Sequence, residues 1–210
     1  MTTLLLVRHA TNDWVGERLA GWTPGVHLNA AGQQQAHELA ERLAHIPIKA
    51  IYSSPLERAL ETAAPLADRL RLPVEQDPDL GEVYYGQWTG MPLKAMRETD
   101  LWPLLMIAPS LARFPDGESL LEAQTRVIGA LERLRRTHPD DTILVVSHAD
   151  ILKAAVAHYL GLHLDLFQRL VISPASVTVL RSAAPGHARL EHFNDTGVLP
   201  SFVEEQQKIP

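Results

Sequence analysis

Leu4-Leu5-Leu6-Val7-Arg8-His9-Ala10 near the amino terminus and Leu144-Val145-Val146-Ser147-His148-Ala149 far along the chain are built alike. Each is an unbroken apolar run closed by a polar residue, a histidine and a small residue. Apolar runs without polar alternation predict strands covered on both faces, as in a parallel sheet held between layers of helices. One strand is read over Thr3 to Val7 and its counterpart over Thr142 to Val146. Both histidines then stand on the carboxyl edge of the sheet, where open α/β sheets bind their ligands.

Working outward, Asn29 precedes Ala36, Leu39, Ala40 and Leu43 at helical spacing, and Lys49 to Tyr52 reads as a short strand. Ser54-Pro55-Leu56-Glu57 has the pattern of a helix start, with a serine cap, proline first and glutamate three residues after the cap; the helix is expected to reach about Arg69. Glu118 to Arg136 is helical by pattern, as is the segment carrying Leu152, Ala155, Val156 and Tyr159, which ends at Gly161. Ser176 to Leu180 and Arg189 to Phe193 flank Pro185-Gly186 as a hairpin-like pair of strands, and the Glu204 to Pro210 tail is expected to fray. Alternating strands and helices predict an α/β three-layer sandwich with a mostly parallel central sheet and one antiparallel edge strand. The chain, 1–210, is read as a single domain, with the Pro- and Gly-punctuated stretch at about 73–115 as a lid or small helical insertion.

Composition narrows the chemistry. The 210 residues are 46% hydrophobic and 21% charged, with a formal net charge of −6, so no general affinity for nucleic acid or an anionic membrane is expected. An anion must therefore meet a local positive site. The absence of cysteine removes disulfides, thiolate zinc sites and phosphocysteine chemistry. The first apolar run is too short for a signal peptide and no stretch approaches a membrane span, so a cytoplasmic location is expected. Gly-x-Ser-x-Gly and Walker A patterns are missing, no histidine pair has the helical spacing of a zinc protease, and Asp77-Pro78-Asp79 reads as a turn.

Arg58 falls in the first turn of its helix, where a cation opposes the helix dipole by several tenths of a kcal/mol. An anion at that helix N-terminus would reverse the sign, because the arginine and the terminal N–H groups then act together. Two histidines and two arginines without a metal suit phosphoryl transfer to imidazole. A neutral ring nitrogen attacks while fixed cations neutralise the equatorial oxygens. His9 is the expected nucleophile, with Arg8, Arg58 and a protonated His148 as the clamp. The leaving alkoxide needs a proton at neutral pH, which calls for a carboxyl of raised pKa. Glu82, among the apolar and aromatic neighbours Leu80, Val83, Tyr84 and Tyr85, is the candidate. Trp22, Trp88, Trp102 and Met106 are candidates for the wall around an organic leaving group, with core packing as the competing reading.

Five ordered blocks, spanning most of the chain, resemble the histidine phosphatase superfamily, also called phosphoglycerate mutase-like. They are Leu5 to Ala10, Ser53 to Ala63, Leu80-Gly81-Glu82 with Gly86 to Gly90, Pro115 to Ser119, and Val146 to Ala149. The resemblance implies His9 as the phosphorylated residue, Arg8, Arg58 and His148 as the phosphate pocket, and Glu82 as proton donor and later base. It also implies substrate contacts from Gly21 and Trp22 in the loop Leu19 to Gly25, and from Ala149. The sequence departs from the pattern in four places. Ala10 replaces the usual glycine, Val15 stands where a phosphate-contacting asparagine is usual, and Asn12 occupies a position usually serine or threonine and is the candidate substitute contact. Ala20 replaces the threonine common in mutases, and only Lys94, Arg97 and Arg113 are basic between Pro73 and Pro115. A phosphomonoester hydrolase that needs no cofactor or metal is therefore expected, acting on a small phosphorylated metabolite. Mutase-type transfer and a non-catalytic phospho-ligand binder are the alternatives, and a homo-oligomer is left open.

Overall fold

Alternation decides where β1 (Thr2–Arg8) sends its side chains. Leu4 and Leu6 enter one apolar core and Leu5 and Val7 the other, all four buried. Each such burial contributes roughly 1.5–3 kcal/mol, so this strand alone anchors both sides of the molecule. The computed structural model describes residues 1–182 and 187–197. After β1 come α1 (Ala30–Leu43), β2 (Ile48–Ser53), α2 (Glu57–Leu70) and β3 (Val74–Gln76). Then follow α3 (Leu93–Met96), α4 (Leu101–Ile107), α5 (Leu120–Thr137), β4 (Thr142–Ser147), α6 (Ala149–Tyr159), β5 (Val177–Ser182) and β6 (Ala188–Asp195). The expected Pro185-Gly186 turn and C-terminal tail lie outside the described residues.

The six strands form one sheet in the order β3-β2-β4-β1-β5-β6. Strands β1 to β4 are parallel, β5 runs antiparallel beside β1, and β6 pairs antiparallel with β5 at the edge. Helices α1 and α2 cover one face through Leu39, Leu43, Ala63 and Leu66, and α5 and α6 cover the other through Val127, Leu131, Leu152 and Val156. The three-layer α/β sandwich is thus as the sequence predicts. Two corrections concern the sheet. The one strand that runs against the rest, β5, is interior rather than at the edge, with Val177 and Val179 buried on one face and Leu180 on the other, and β6 forms the edge beyond it. Strand β3 was hidden inside the expected insertion: three residues paired to β2 at the sheet edge are too few to show a period.

The rest of the 73–115 stretch divides. Leu80, Val83, Tyr85 and Trp88 are buried in the core, while α3 and α4 lie farther out, with Met96 and Leu105 turned inward.

Register places the chemistry. Arg8 lies opposite Ser147, and Ser53 opposite Val146. Beyond the strand ends His9 N donates to Ser147 O at 2.9 Å and Ser54 N to Val146 O at 2.9 Å. His9, His148 and Ser54 therefore stand side by side on one edge.

Candidate active site

His9 and His148 face each other with ring centroids 5.2 Å apart and planes inclined by 57°. Nδ1 of His9 lies 2.7 Å from the carbonyl oxygen of Ala10, which can only accept, so that nitrogen carries the hydrogen and the lone pair is on Nε2. Burial, with Arg58 and Arg8 adding repulsion, holds the His9 pKa well below its usual value. The ring is a neutral base with one oriented lone pair.

His148 is fully buried and both its ring nitrogens are engaged. Arg58 Nη2 donates to Nδ1 at 3.3 Å, and Nε2 donates to Ser54 Oγ at 2.8 Å. Burial, then Arg58 and His9, push its pKa well below the usual value. The protonated His148 expected from sequence is therefore corrected: in this cationic, water-poor setting the ring is neutral and contributes a directed N–H. The Ser54 assignment changes with it. Helix α2 begins two residues later than its capping pattern suggests, with Leu56 as an N-cap that makes no side-chain bond. The serine hydroxyl instead accepts from His148 and from Leu56 N at 3.3 Å.

Arg58, the cation of the α2 first turn, is 1% exposed. One of its nitrogens donates to Gly21 O at 2.8 Å, while Nε and Nη1 find no acceptor among the described residues. Arg8 donates through Nη1 to Ile172 O at 2.6 Å and leaves Nε without a partner. Asn12, 4% exposed, accepts from Trp14 N through Oδ1 and leaves Nδ2 free. A buried donor without an acceptor costs about 1–3 kcal/mol, more when charged. Four such atoms, on three side chains of one cleft, fit an anion with several oxygens. Helix α6 starts at the same edge, with His148 as an N-cap that makes no side-chain bond, so its terminal amides add to the positive field.

Glu82 brings a carboxyl to the cleft. Its Oε2 is 3.9 Å from His148 Nδ1, and its Oε1 accepts from Val83 N at 2.9 Å. Burial, reinforced by Asp150 and opposed by Arg58, pushes its pKa up to about 7. A carboxyl at that value holds a proton for part of the time at neutral pH.

The cleft between these groups measures about 260 Å³ and is lined by Arg8, His9, Asn12, Arg58, Glu82 and Ala149 among others. Val15 also lines it, beside Asn12. Gly21 and Trp22 do not. Gly21 offers only its carbonyl to Arg58, and the Trp22 indole donates to Glu82 O at 2.6 Å while stacking on Tyr84 at 4.5 Å. A side chain at Gly81 would put its Cβ 2.2 Å from that indole, which is why glycine stands there. Trp88 is buried in the core, and neither it, Trp102 nor Met106 lines the cleft. The small residue after His9 is also not a ligand contact, since Ala10 N donates to Thr62 Oγ1 at 2.9 Å.

Sequence reasoning passed over four polar groups of the cleft wall: Tyr85, Asp150, Lys153 and Arg18. Tyr85 donates to Asp150 at 3.1 Å, and Asp150 pairs with Lys153 at 3.3 Å. Their signal was position alone: Tyr85 follows Glu82 by three residues, and Asp150 follows His148 by two.

Fold and site together define an α/β protein built to hold a phosphoryl group at a sheet edge. Residues 4–196 match the histidine phosphatase superfamily (branch 1), and the chain belongs to that superfamily. Phosphoserine phosphatase 1 of Hydrogenobacter thermophilus is 34% identical over 212 residues, covering 99% of both chains. YhfR of Bacillus stearothermophilus superposes with a TM-score of 0.86 at 31% identity, over 93% of this chain and 98% of that one. A mutant phosphoserine phosphatase of Entamoeba histolytica, solved with phosphoserine, gives a TM-score of 0.84 at 26% identity over 95% of this chain and 100% of that one. The chain is thus of phosphatase or mutase type. Among the described residues no helix is long and apolar enough to cross a membrane.

Proposed function

We propose that the protein hydrolyses a small phosphomonoester, without a metal, through a phosphohistidine at His9. The observation that carries this reading is the pairing of a buried imidazole, lone pair on Nε2, with guanidinium and amide donors that have no acceptor among the described residues. The ester's phosphoryl group sits among Arg8, Arg58, Asn12 and Ala149, with His148 holding Arg58 in place through Nδ1. Nε2 of His9 attacks phosphorus; the N–P bond forms, the P–O bond to the leaving group breaks, and Glu82 gives its proton to the departing oxygen. Glu82, now a carboxylate, takes a proton from water as the water oxygen attacks phosphorus, the N–P bond breaks, and inorganic phosphate leaves. Fixed donors aimed at the equatorial oxygens supply most of the stabilisation.

A cleft of about 260 Å³ lies at the small end for ligand sites and suits a compact metabolite rather than a polymer. The similarity to phosphoserine phosphatases supports placing phosphoserine first in a substrate panel. Mutase-type transfer is the second reading, favoured by Arg18, a cleft-lining cation that stacks over Trp14 at 5.7 Å without an ion-pair partner among the described residues. A phosphorylated-metabolite panel scored for released phosphate and for isomerised product separates the two. The intermediate is tested by brief incubation with a labelled phosphomonoester. An acid-labile, base-stable label on His9 is expected, and labelling that survives His9→Ala removes the assignment.

A further inference from the structure

The turn that presents Glu82 is irregular, yet each of its carbonyls from Asp79 to Glu82 has a donor. Ser147 Oγ donates to Leu80 O at 2.7 Å. One side chain, Arg126 of α5, reaches all of the other three, sharing Glu82 O with the Trp22 indole at 2.6 Å. Its Nη1 donates to Asp79 O at 2.8 Å and to Gly81 O at 3.0 Å, and its Nη2 to Glu82 O at 3.2 Å. Nη2 also pairs with Glu118 Oε1 at 2.7 Å, and Nε reaches Oε2 of the same carboxylate at 3.4 Å. Glu118 in turn accepts from Tyr84 N at 3.0 Å, so the buried pair, 15% and 13% exposed, grips the chain before and after Glu82.

A buried ion pair is seldom a net source of stability, because desolvation offsets its attraction. Three backbone carbonyls on one guanidinium instead match what positioning requires, since a misplacement of about 1 Å is worth roughly 10²-fold in rate. The anchor is rigid: α5 starts with a full capping box between Ser119 and Glu122 and packs through Val127 and Leu131 into the core. Arg133, seven residues farther along α5, also ties this turn, but through the side chains of Asp77 and Asp79, and it is half exposed. Arg126 holds the main chain of the acid itself.

We infer that Arg126 is a positioning residue for the proton donor, acting through the Glu82 backbone rather than by touching substrate. The inference rests on the reading of Glu82 as general acid. Lysine keeps the charge but cannot fork to three carbonyls. Arg126→Lys should therefore lower kcat for an alkyl phosphate by about 10- to 100-fold. For dinitrophenyl phosphate, whose leaving group needs no proton, kcat should stay within about threefold. In an Glu82→Gln background Arg126→Lys should add nothing further on the alkyl ester, since the two changes act on one step. Arg133→Gln should leave the ratio of the two esters unmoved.

Equal slowing of both esters with a lowered Tm, or no slowing of either, would overturn the inference and leave a structural tie. Should Arg126→Lys fail to accumulate folded, Glu118→Gln removes the countercharge while keeping an acceptor for Tyr84 N. The same selective loss, smaller in size, is then expected, and its absence overturns the inference equally. If instead Glu82→Gln alone shows no preference for the activated ester, the general-acid reading fails, a result distinguishable from failure of Arg126.

Discussion

The two strand-end histidines are near copies in sequence and opposites in structure. His9 turns one nitrogen to its own neighbour's carbonyl and leaves the other available, whereas His148 has both nitrogens tied, to Arg58 and to Ser54. The residues behind them differ as well. After His9 the chain enters a loop whose first amide is bonded to Thr62, while after His148 it turns at once into α6 with its amides at the cleft. Similar local sequence thus divides into a ring with a free nitrogen and a ring tied on both sides, and the division is made by neighbours distant in sequence.

The sharpest way to break this contrast is to exchange the losses. His9→Ala removes the ring whose Nε2 the proposed mechanism uses for attack, and turnover should fall by about 10⁴- to 10⁶-fold, as for the loss of a covalent nucleophile. His148→Ala removes the ring that accepts from Arg58 and donates to Ser54, and should cost about 10²-fold in kcat through a misplaced guanidinium, with His9 still accepting label. Label lost in the His148 variant and retained in the His9 variant would reverse the roles.

Glu82 sharpens the contrast from the side of the leaving group. Glu82→Gln should slow esters of poor leaving groups by about 10²- to 10⁴-fold and spare activated aryl esters. With the acid at about 7, kcat/KM for alkyl esters should fall as pH rises through neutrality, and the glutamine variant should lose that limb. The sign for stability follows. The folded carboxyl has its pKa raised from 4.5 to about 7, so between those values the native state holds a proton that the unfolded chain releases. Its favourable contribution is complete below 4.5 and lost as pH passes about 7. Tm of Glu82→Gln relative to the parent should therefore be higher at pH 8 than at pH 5, and the opposite trend would contradict a raised pKa.

Legibility in the sequence followed the range of the interactions involved. The runs ending at His9 and His148 declared themselves because burial on both faces leaves a continuous apolar string. Arg58 declared itself as a cation misplaced in a first turn. Ser54 was misread because Ser-Pro-x-Glu suits a cap and a hydrogen-bond partner for a distant ring equally well. Trp22 was assigned to substrate because no local pattern shows an indole donating to the carbonyl of Glu82. Arg126 gave no signal, being one more arginine on a helix until α5 is laid against the turn at Asp79 to Glu82.

The smallest expected effect concerns the loop behind His9, where the chain departs from the family pattern. Val15 contributes an apolar wall at a position where a polar amide is usual, and Asn12 brings a buried amide to the same cleft from three residues earlier. Its Nδ2 has no acceptor among the described residues, whereas Oδ1 is committed to Trp14 N at 2.9 Å. A hydrogen bond to a charged oxygen is worth about 1.5–3 kcal/mol, so Asn12→Ala should weaken inhibition by inorganic phosphate or vanadate by roughly 10-fold or more. Asn12→Asp keeps the acceptor that holds the loop and replaces the donor with a charge that repels the anion. It should therefore weaken inhibition further than alanine while disturbing Tm less. If aspartate were tolerated and alanine were not, Asn12 would serve only to shape the turn at Trp14, and the phosphoryl group would rest on Arg8, Arg58 and the α6 amides without it.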